Sequence, residues 1–210
     1  MSALRAARQN TVVETILFLV LAAAVVILAQ AFVVKPYRIP SGSMEPTLHV
    51  GDRVLVNRFS HRVLGQDVQV GDVVVFHPPA GADASPPVCG AQDQGATTAS
   101  PCGKPTPERS SATFIKRVVA VGGDRIALRG GHVIRNGQPV KEPYIRPCGS
   151  GAECDFPEAI TVPTGMVFLL GDNRGNSDDS RFWGPVPESW VIGTAFVLYW
   201  PPSRIGHSVG

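Results

Sequence analysis

Between Glu14 and Lys35 the chain carries no charge, and from Thr15 to Val34 it reads TILFLVLAAAVVILAQAFVV. At about 1.5 Å per helical residue, this run extends roughly 30 Å, the thickness of a bilayer's hydrocarbon core. The pattern predicts a membrane-spanning helix over residues 12–34 behind a short tail, residues 1–11. A cleaved secretory signal is the alternative, with Arg5 and Arg8 as its basic start and Ala29-Gln30-Ala31 as the cut. The apolar run continues past that cut to Val34, which favours a retained anchor. Arg5 and Arg8 on one side nearly balance Lys35 and Arg38 on the other, so counting positive charges leaves the orientation open.

Beyond residue 35 apolar residues come only in short bursts rich in Val and Ile: RVLVNRF (53–59), VVVFH (73–77), FIKRVVAV (114–121) and VFLL (167–170). β-Branched residues suit a pleated, half-buried surface. Gly-Asp pairs at 51–52, 71–72 and 123–124 border three of these runs, and Gly171-Asp172 ends the fourth, as expected of turns. HVIRNGQPV (132–140) holds Asn136-Gly137 between two extended arms, a hairpin signal. WVIGTAFVLYW (190–200) closes the series. The pattern predicts a mostly β domain of folded-over sheets over 35–210, not a βαβ array. Residues 78–112, rich in Pro, Gly, Ala and Ser with almost no large apolar groups, interrupt it as an exposed insertion.

Composition narrows the function classes. A chain of 210 residues that is 44% hydrophobic can build one membrane segment and one soluble core. A net charge of +2 provides no basic field for nucleic acid. Cys89, Cys102, Cys148 and Cys154 form no metal-binding spacing, and no cofactor motif is present. Four cysteines allow three connectivities. One of them staples the insertion through Cys89 and Cys102 and closes a smaller loop through Cys148 and Cys154.

Candidate chemistry begins at RIPSGSMEPTLHVGD (38–52), where Ser41 and Ser43 flank one glycine. Pro-Ser-Gly-Ser is also ordinary turn chemistry. A serine nucleophile needs a base, and His49, His61, His77, His132 and His207 are scattered, none beside an orienting carboxylate. Lys116 is the unusual residue. On a strand it shares a face with Phe114, Val118 and Ala120, while Ile115, Arg117, Val119 and Val121 take the other. Such a lysine either snorkels to water or is buried. Burial lowers its pKa and makes it a general base near neutral pH.

Five stretches now line up: PSGSMEPTL (40–48), GDRVLVNRF (51–59), GDVVVFHPP (71–79), KRVVAVGGD (116–124) and GDNRGNSDDSRFWGPVP (171–187). Together they resemble, in order, the boxes of type I signal peptidases, and they span almost all of the chain outside the insertion. The resemblance implies a membrane-bound serine endopeptidase with a Ser–Lys dyad on a mostly antiparallel β fold. Such an enzyme removes signal peptides from exported proteins on the outer side of the cytoplasmic membrane. It implies Ser43 as nucleophile, Lys116 as general base, and Ser41 with the Ser43 backbone N–H as the oxyanion hole. Ser177 matches the serine that orients the lysine, Asp179 and Arg181 match a supporting ion pair, and Asp172 matches an acid near the site. The implied partners are secretory preproteins, the lipid bilayer and, transiently, the export machinery, with cleavage after small residues of the A-x-A type. Apolar residues near the boxes, such as Ile39 and Val118, are candidates for the pocket walls.

The chain departs from the family pattern at Gly175, where Asp is usual, and at Gly122, where Pro is usual. A self-cleaving repressor of the same fold is a poorer match, because no DNA-binding segment is visible and the anchor is unexplained. A non-catalytic anchored binding domain predicts a broken dyad or oxyanion position, and none is broken. Ser43 lies nine positions after Val34, so the serine is within roughly 30 Å of the membrane segment.

Overall fold

The computed structural model describes residues 13–27, 33–59, 67–84, 89–90, 99–148, 153–207 and 209. Residues 13–27 are helical, with exposed apolar side chains. Among the described residues no helix is long and apolar enough to cross a membrane. Positions 1–12 and 28–32, which include the first residue of the expected span and the alternative cut at Ala29–Ala31, lie outside the described residues. The far end of the expected span is corrected: Val34 opens strand β1 (Val34–Arg38) rather than closing the helix. It has a partner there, because β1 lies antiparallel on β2 (Arg53–Asn57) with Val34 opposite Asn57. Arg58 N–H also donates to the Val33 carbonyl at 2.9 Å.

The remaining strands are β3 (Val73–Phe76), β4 (Phe114–Val121), β5 (Arg125–Arg129), β6 (His132–Arg135), β7 (Gln138–Pro139), β8 (Phe156–Thr161), β9 (Met166–Leu170), β10 (Val186–Pro187) and β11 (Val191–Trp200). Among the described residues they form two antiparallel sheets, seven strands in the order β1-β2-β11-β3-β4-β9-β10 and four in the order β7-β6-β5-β8. The fold is mostly β, as the short apolar bursts require. The smaller sheet is built from the chain between β4 and β9, so it folds back over the neighbours from which it departs.

Alternation along the strands distributes the core. Val73 and Val75 of β3 pack with Met44, Leu48, Val54 and Leu198, while Val74 and Phe76 face Val118, Leu169 and Trp183. A third cluster joins the sheets, with Val119, Ala120, Phe168 and Leu170 against Ile126, Leu128 and Phe156. Both faces of β3, β4 and β9 are therefore covered, and each fully buried side chain of this size contributes about 1.5–3 kcal/mol. One expectation fails inside β4. A register shift between Val118 and Ala120 sends Ala120 into the third cluster beside Val119, off the face of Lys116. A bulge inserts one residue, which reverses the alternation after it; Val121 accordingly returns to the cluster of Val118.

Three of the Gly-Asp pairs build the same turn. Gly51, Gly71 and Gly123 have φ of 91°, 102° and 92°, a region that favours glycine. The carboxylates of Asp52, Asp72 and Asp124 each accept the backbone N–H three residues back, at 2.8–3.1 Å. Asn136 and Gly137, at φ 53° and 79°, make the expected hairpin turn. The fourth pair, Gly171-Asp172, is no turn of this kind and belongs to the site.

The insertion is corrected as well. Its described residues are not simply exposed: Ala82, Cys89, Cys102 and Thr106 are buried. Backbone bonds hold them, from Ala80 N–H to the Glu108 carbonyl, Glu158 N–H to the Ala99 carbonyl and Cys102 N–H to the Arg181 carbonyl. Small side chains let one backbone approach another closely, so hydrogen bonds replace the missing apolar area. Residues 85–88 and 91–98 of the insertion lie outside the described residues. Disulfides join Cys89 to Cys102 and Cys148 to Cys154. Of the three tryptophans, Trp183 is in the core, Trp190 packs against it, and Trp200 is exposed beneath Arg53.

Candidate active site

Ser43 sits in the single 3-10 turn Gly42–Met44 that follows β1. Met44 anchors the turn from below, fully buried among Leu48, Val54 and Val75. From the other side Asn173 holds it, donating from its backbone N–H to the Ser43 carbonyl at 3.0 Å and from its side-chain amide to the Gly42 carbonyl at 3.1 Å. Gly171 lets the two backbones meet, because a Cβ there would stand 2.5 Å from the Ser43 carbonyl oxygen.

Lys116 reaches this turn from the middle of β4, between β3 and β9. Its Nζ lies 2.7 Å from Ser43 Oγ. The lysine is 4% exposed and the serine 8%, so the buried reading of Lys116 holds and snorkelling does not. Burial disfavours the ammonium and lowers the pKa from 10.5 to about 8. Asp179, Asp178 and Asp172 oppose that fall, and Arg181 reinforces it. The unprotonated amine can accept a proton from the neighbouring hydroxyl, which can then attack an electrophilic carbon.

Ser41 Oγ donates to Ser43 Oγ at 3.4 Å, at the outer limit of a hydrogen bond. Ser177 lines the same cleft as Lys116, but among the described residues its buried hydroxyl has no hydrogen-bond partner. Asp179 and Arg181 form a buried bidentate pair, Nε to Oδ1 at 2.8 Å and Nη2 to Oδ2 at 3.0 Å. Burial raises the Asp179 pKa, but Arg181, Lys116 and the Gly171 N–H together outweigh it and hold the carboxyl below its ordinary value. Asp179 also caps the helix Ser180–Trp183 and accepts the Gly171 N–H at 3.1 Å. Asp172 instead takes the guanidinium of Arg117 at 2.8–2.9 Å and the Thr47 hydroxyl at 2.5 Å. It thereby ties β4, next to Lys116, to the segment that follows Ser43.

Several of these partners were not singled out from the sequence: Thr47, Arg117, Asn173, Arg174 and Glu142. Arg174 and Glu142 form a third buried pair at 2.6 Å, and Arg174 also donates to the carbonyls of Gly171 and Gly131. Thr47 lies within the first box, Asn173 and Arg174 within the last, and Arg117 directly follows Lys116, so proximity was a signal for those four. Glu142, in KEP, offered none.

An open cleft of about 1080 Å³ lies over the pair, lined by Ile39, Pro40, Ile115 and Asn176 among others. Ile39 is therefore placed as expected. Val118 is not: it is fully buried in the second core cluster. No histidine lines the cleft among the described residues. No group of His, Cys, Asp and Glu there is arranged to hold a metal ion. The departure at Gly175 has a local reason, since a Cβ would stand 3.2 Å from Cys148 Cβ. At Gly122 a Cβ would meet Thr164 Cα at 2.9 Å.

Known proteins similar to this chain share one family. The family described as "Signal peptidase, peptidase S26" matches residues 12–200. A probable signal peptidase I-1 of Synechocystis sp. is 38% identical, over 92% of this chain and 85% of that protein. Signal peptidase I of Mycobacterium tuberculosis is 36% identical, over 96% of this chain and 77% of its own. Thylakoidal processing peptidase 1 of Arabidopsis thaliana is 34% identical, over 90% of this chain and 48% of its own. The crystal structure of a signal peptidase I from Enterococcus faecalis is similar at 22% identity and a TM-score of 0.39, covering 61% of this chain and 97% of that one.

Proposed function

The chain belongs to the signal peptidase family, peptidase S26, and from that premise we propose that it is a membrane-anchored endopeptidase whose nucleophile is Ser43 and whose general base is Lys116. One observation carries the assignment: a buried amine with a pKa of about 8 stands 2.7 Å from a buried hydroxyl at the floor of an open cleft.

Ser43 Oγ attacks the scissile carbonyl carbon while its proton passes to Lys116 Nζ. The negative charge that develops on the carbonyl oxygen is held by the Ser43 backbone N–H and the Ser41 hydroxyl, a contribution of a few kcal/mol for each such donor. When the C–N bond breaks, the ammonium of Lys116 returns its proton to the leaving amine. Water then attacks the acyl-enzyme with Lys116 again as base, and the carboxylate product leaves. The unpaired Ser177 hydroxyl supplies a second contact for Lys116 as it gains and loses its proton. Asp179 with Arg181, and Asp172 with Arg117, keep the carboxylates around the amine paired with cations, so that the lysine remains neutral more easily.

The substrates are translocated preproteins cut after small residues of the A-x-A type. Residues 12–33 anchor the chain in the cytoplasmic membrane in a single pass, with the β domain on the extracytoplasmic side. The uncharged run from Thr15 to Val33 and the two disulfides, which persist outside the cytoplasm, support this placement. Short tethering favours substrates held at the same membrane surface by their own signal segments.

The test is a cleavage assay in lipid with a precursor bearing an A-x-A site, using wild type, Ser43→Ala and Lys116→Ala. Product cut after the second alanine by wild type alone is expected. Equal cleavage by Lys116→Ala would place the base elsewhere, and equal cleavage of bulky residues at both alanine positions would refute the specificity.

A further inference from the structure

The two disulfides come from distant parts of the chain, yet both end at the same residue. Cys102 N–H donates to the Arg181 carbonyl at 2.8 Å, on the backbone side. On the guanidinium side, Arg181 Nη1 donates to the Glu153 carbonyl at 3.0 Å and lies 4.0 Å from Cys148 Sγ. Room has been left for both contacts. A Cβ at Gly184 would meet Cys102 Sγ at 3.0 Å, and one at Gly131 would meet Cys148 Sγ at 3.0 Å. We propose that the Cys89–Cys102 and Cys148–Cys154 disulfides are positioning elements that hold the Asp179–Arg181 pair, and through it Lys116, in working geometry.

Each link is short. Arg181 neutralises Asp179 through two bonds and donates through Nη2 to the carbonyls of Arg174 and Ser177, fixing the last box. Asp179 in turn holds the Gly171 N–H, and Gly171 is where this box meets the Ser43 turn. The charged groups that act on Lys116 are Asp179, Asp178, Arg181 and Asp172, all from this box. When the grip on Arg181 is lost, its charge withdraws from Asp179, the carboxylate acts on Lys116 uncompensated, and water reaches the amine. Both changes favour the ammonium. The rising limb of the activity profile therefore moves to higher pH, and activity at neutral pH falls about tenfold for each unit of movement. Reduction is the chemical route: a dithiol breaks each S–S bond by two successive exchanges, giving two electrons and ending as its own ring disulfide.

This inference rests on the peptidase reading, so its test carries a readout that does not need activity. Full-length wild type, Cys148→Ala/Cys154→Ala and Cys89→Ala/Cys102→Ala are compared in lipid for precursor cleavage from pH 6 to 10.5 and for amide hydrogen exchange. Either pair of substitutions is expected to raise the apparent pKa by a unit or more, with activity recovering at high pH. Exchange should quicken at Gly171 and Arg181 while the β5–β6 hairpin stays protected. Unchanged profiles with unchanged exchange at those two amides would overturn the proposal. Should a variant fail to fold, wild type is titrated with dithiothreitol. Activity at pH 7 lost while near-ultraviolet circular dichroism persists supports the proposal, and loss only in step with the dichroism refutes it. Oxidised wild type that shows no Ser43-dependent cleavage defeats the peptidase reading instead, and the exchange rates still decide the positioning claim.

Discussion

Replacing Lys116 by Met should stabilise the protein at neutral pH while abolishing its activity. Methionine keeps the unbranched stem and removes the charge. The folded pKa of about 8 stands about 2.5 units below the ordinary 10.5. At 1.36 kcal/mol per unit, the buried ammonium costs the folded state about 3 kcal/mol. The lost bond to Ser43 Oγ offsets about 1 kcal/mol of the gain, leaving about 2 kcal/mol in favour of the variant. The sign follows from proton counting. Below pH 8 the lysine is protonated both folded and unfolded, and the folded state bears the whole cost. Between pH 8 and 10.5 only the unfolded chain keeps the proton, so wild-type stability rises with pH. Above 10.5 both are neutral and the cost is gone. Urea titrations at pH 7, 9 and 10.5, read by tryptophan fluorescence, should show the advantage of Lys116→Met at pH 7 shrinking toward pH 10.5. A variant less stable at pH 7, or a gap independent of pH, would refute the claim that Lys116 is buried at a cost.

The same pKa sets the rate of the wild type: cleavage should rise about tenfold from pH 7 to pH 9, as the neutral fraction grows from about a tenth to about nine-tenths. In Gly171→Ala the new Cβ, 2.5 Å from the Ser43 carbonyl, must push the turn away from Lys116; kcat should fall about 100-fold with the fold intact by circular dichroism. Ser41→Ala should lower kcat by about 10²–10³-fold with little change in KM, and a loss confined to KM would remove Ser41 from the oxyanion site. Glu142→Ala leaves the Arg174 guanidinium buried without its carboxylate, so denaturant unfolding should show a loss of about 3–5 kcal/mol.

How far the site was legible depended on whether a residue's role is local. Asn136-Gly137 and three of the Gly-Asp pairs declare themselves, because a turn is decided within four residues. Gly171-Asp172 carries the same letters and does something else, since its glycine is set by the approach of Ser43 and its carboxylate by Arg117. The insertion misled for a related reason: a segment without large apolar groups can still be buried when its backbone hydrogen-bonds to its neighbours.

What the sequence determined by itself was the apolar segment near the start, the succession of short strands and the residues able to carry serine chemistry. These are encoded in nearest-neighbour terms: length, alternation, turn residues and the order of the boxes. The tertiary structure alone decided that Lys116 is buried rather than snorkelling, and that Glu142 pairs with Arg174. It also decided that β4 shifts phase at its bulge, and that two disulfides converge on Arg181. Each of these depends on what stands across a sheet or beneath a turn, from residues tens of positions away. Desolvation, which sets the lysine's pKa, is a property of that surrounding volume and not of any stretch of chain.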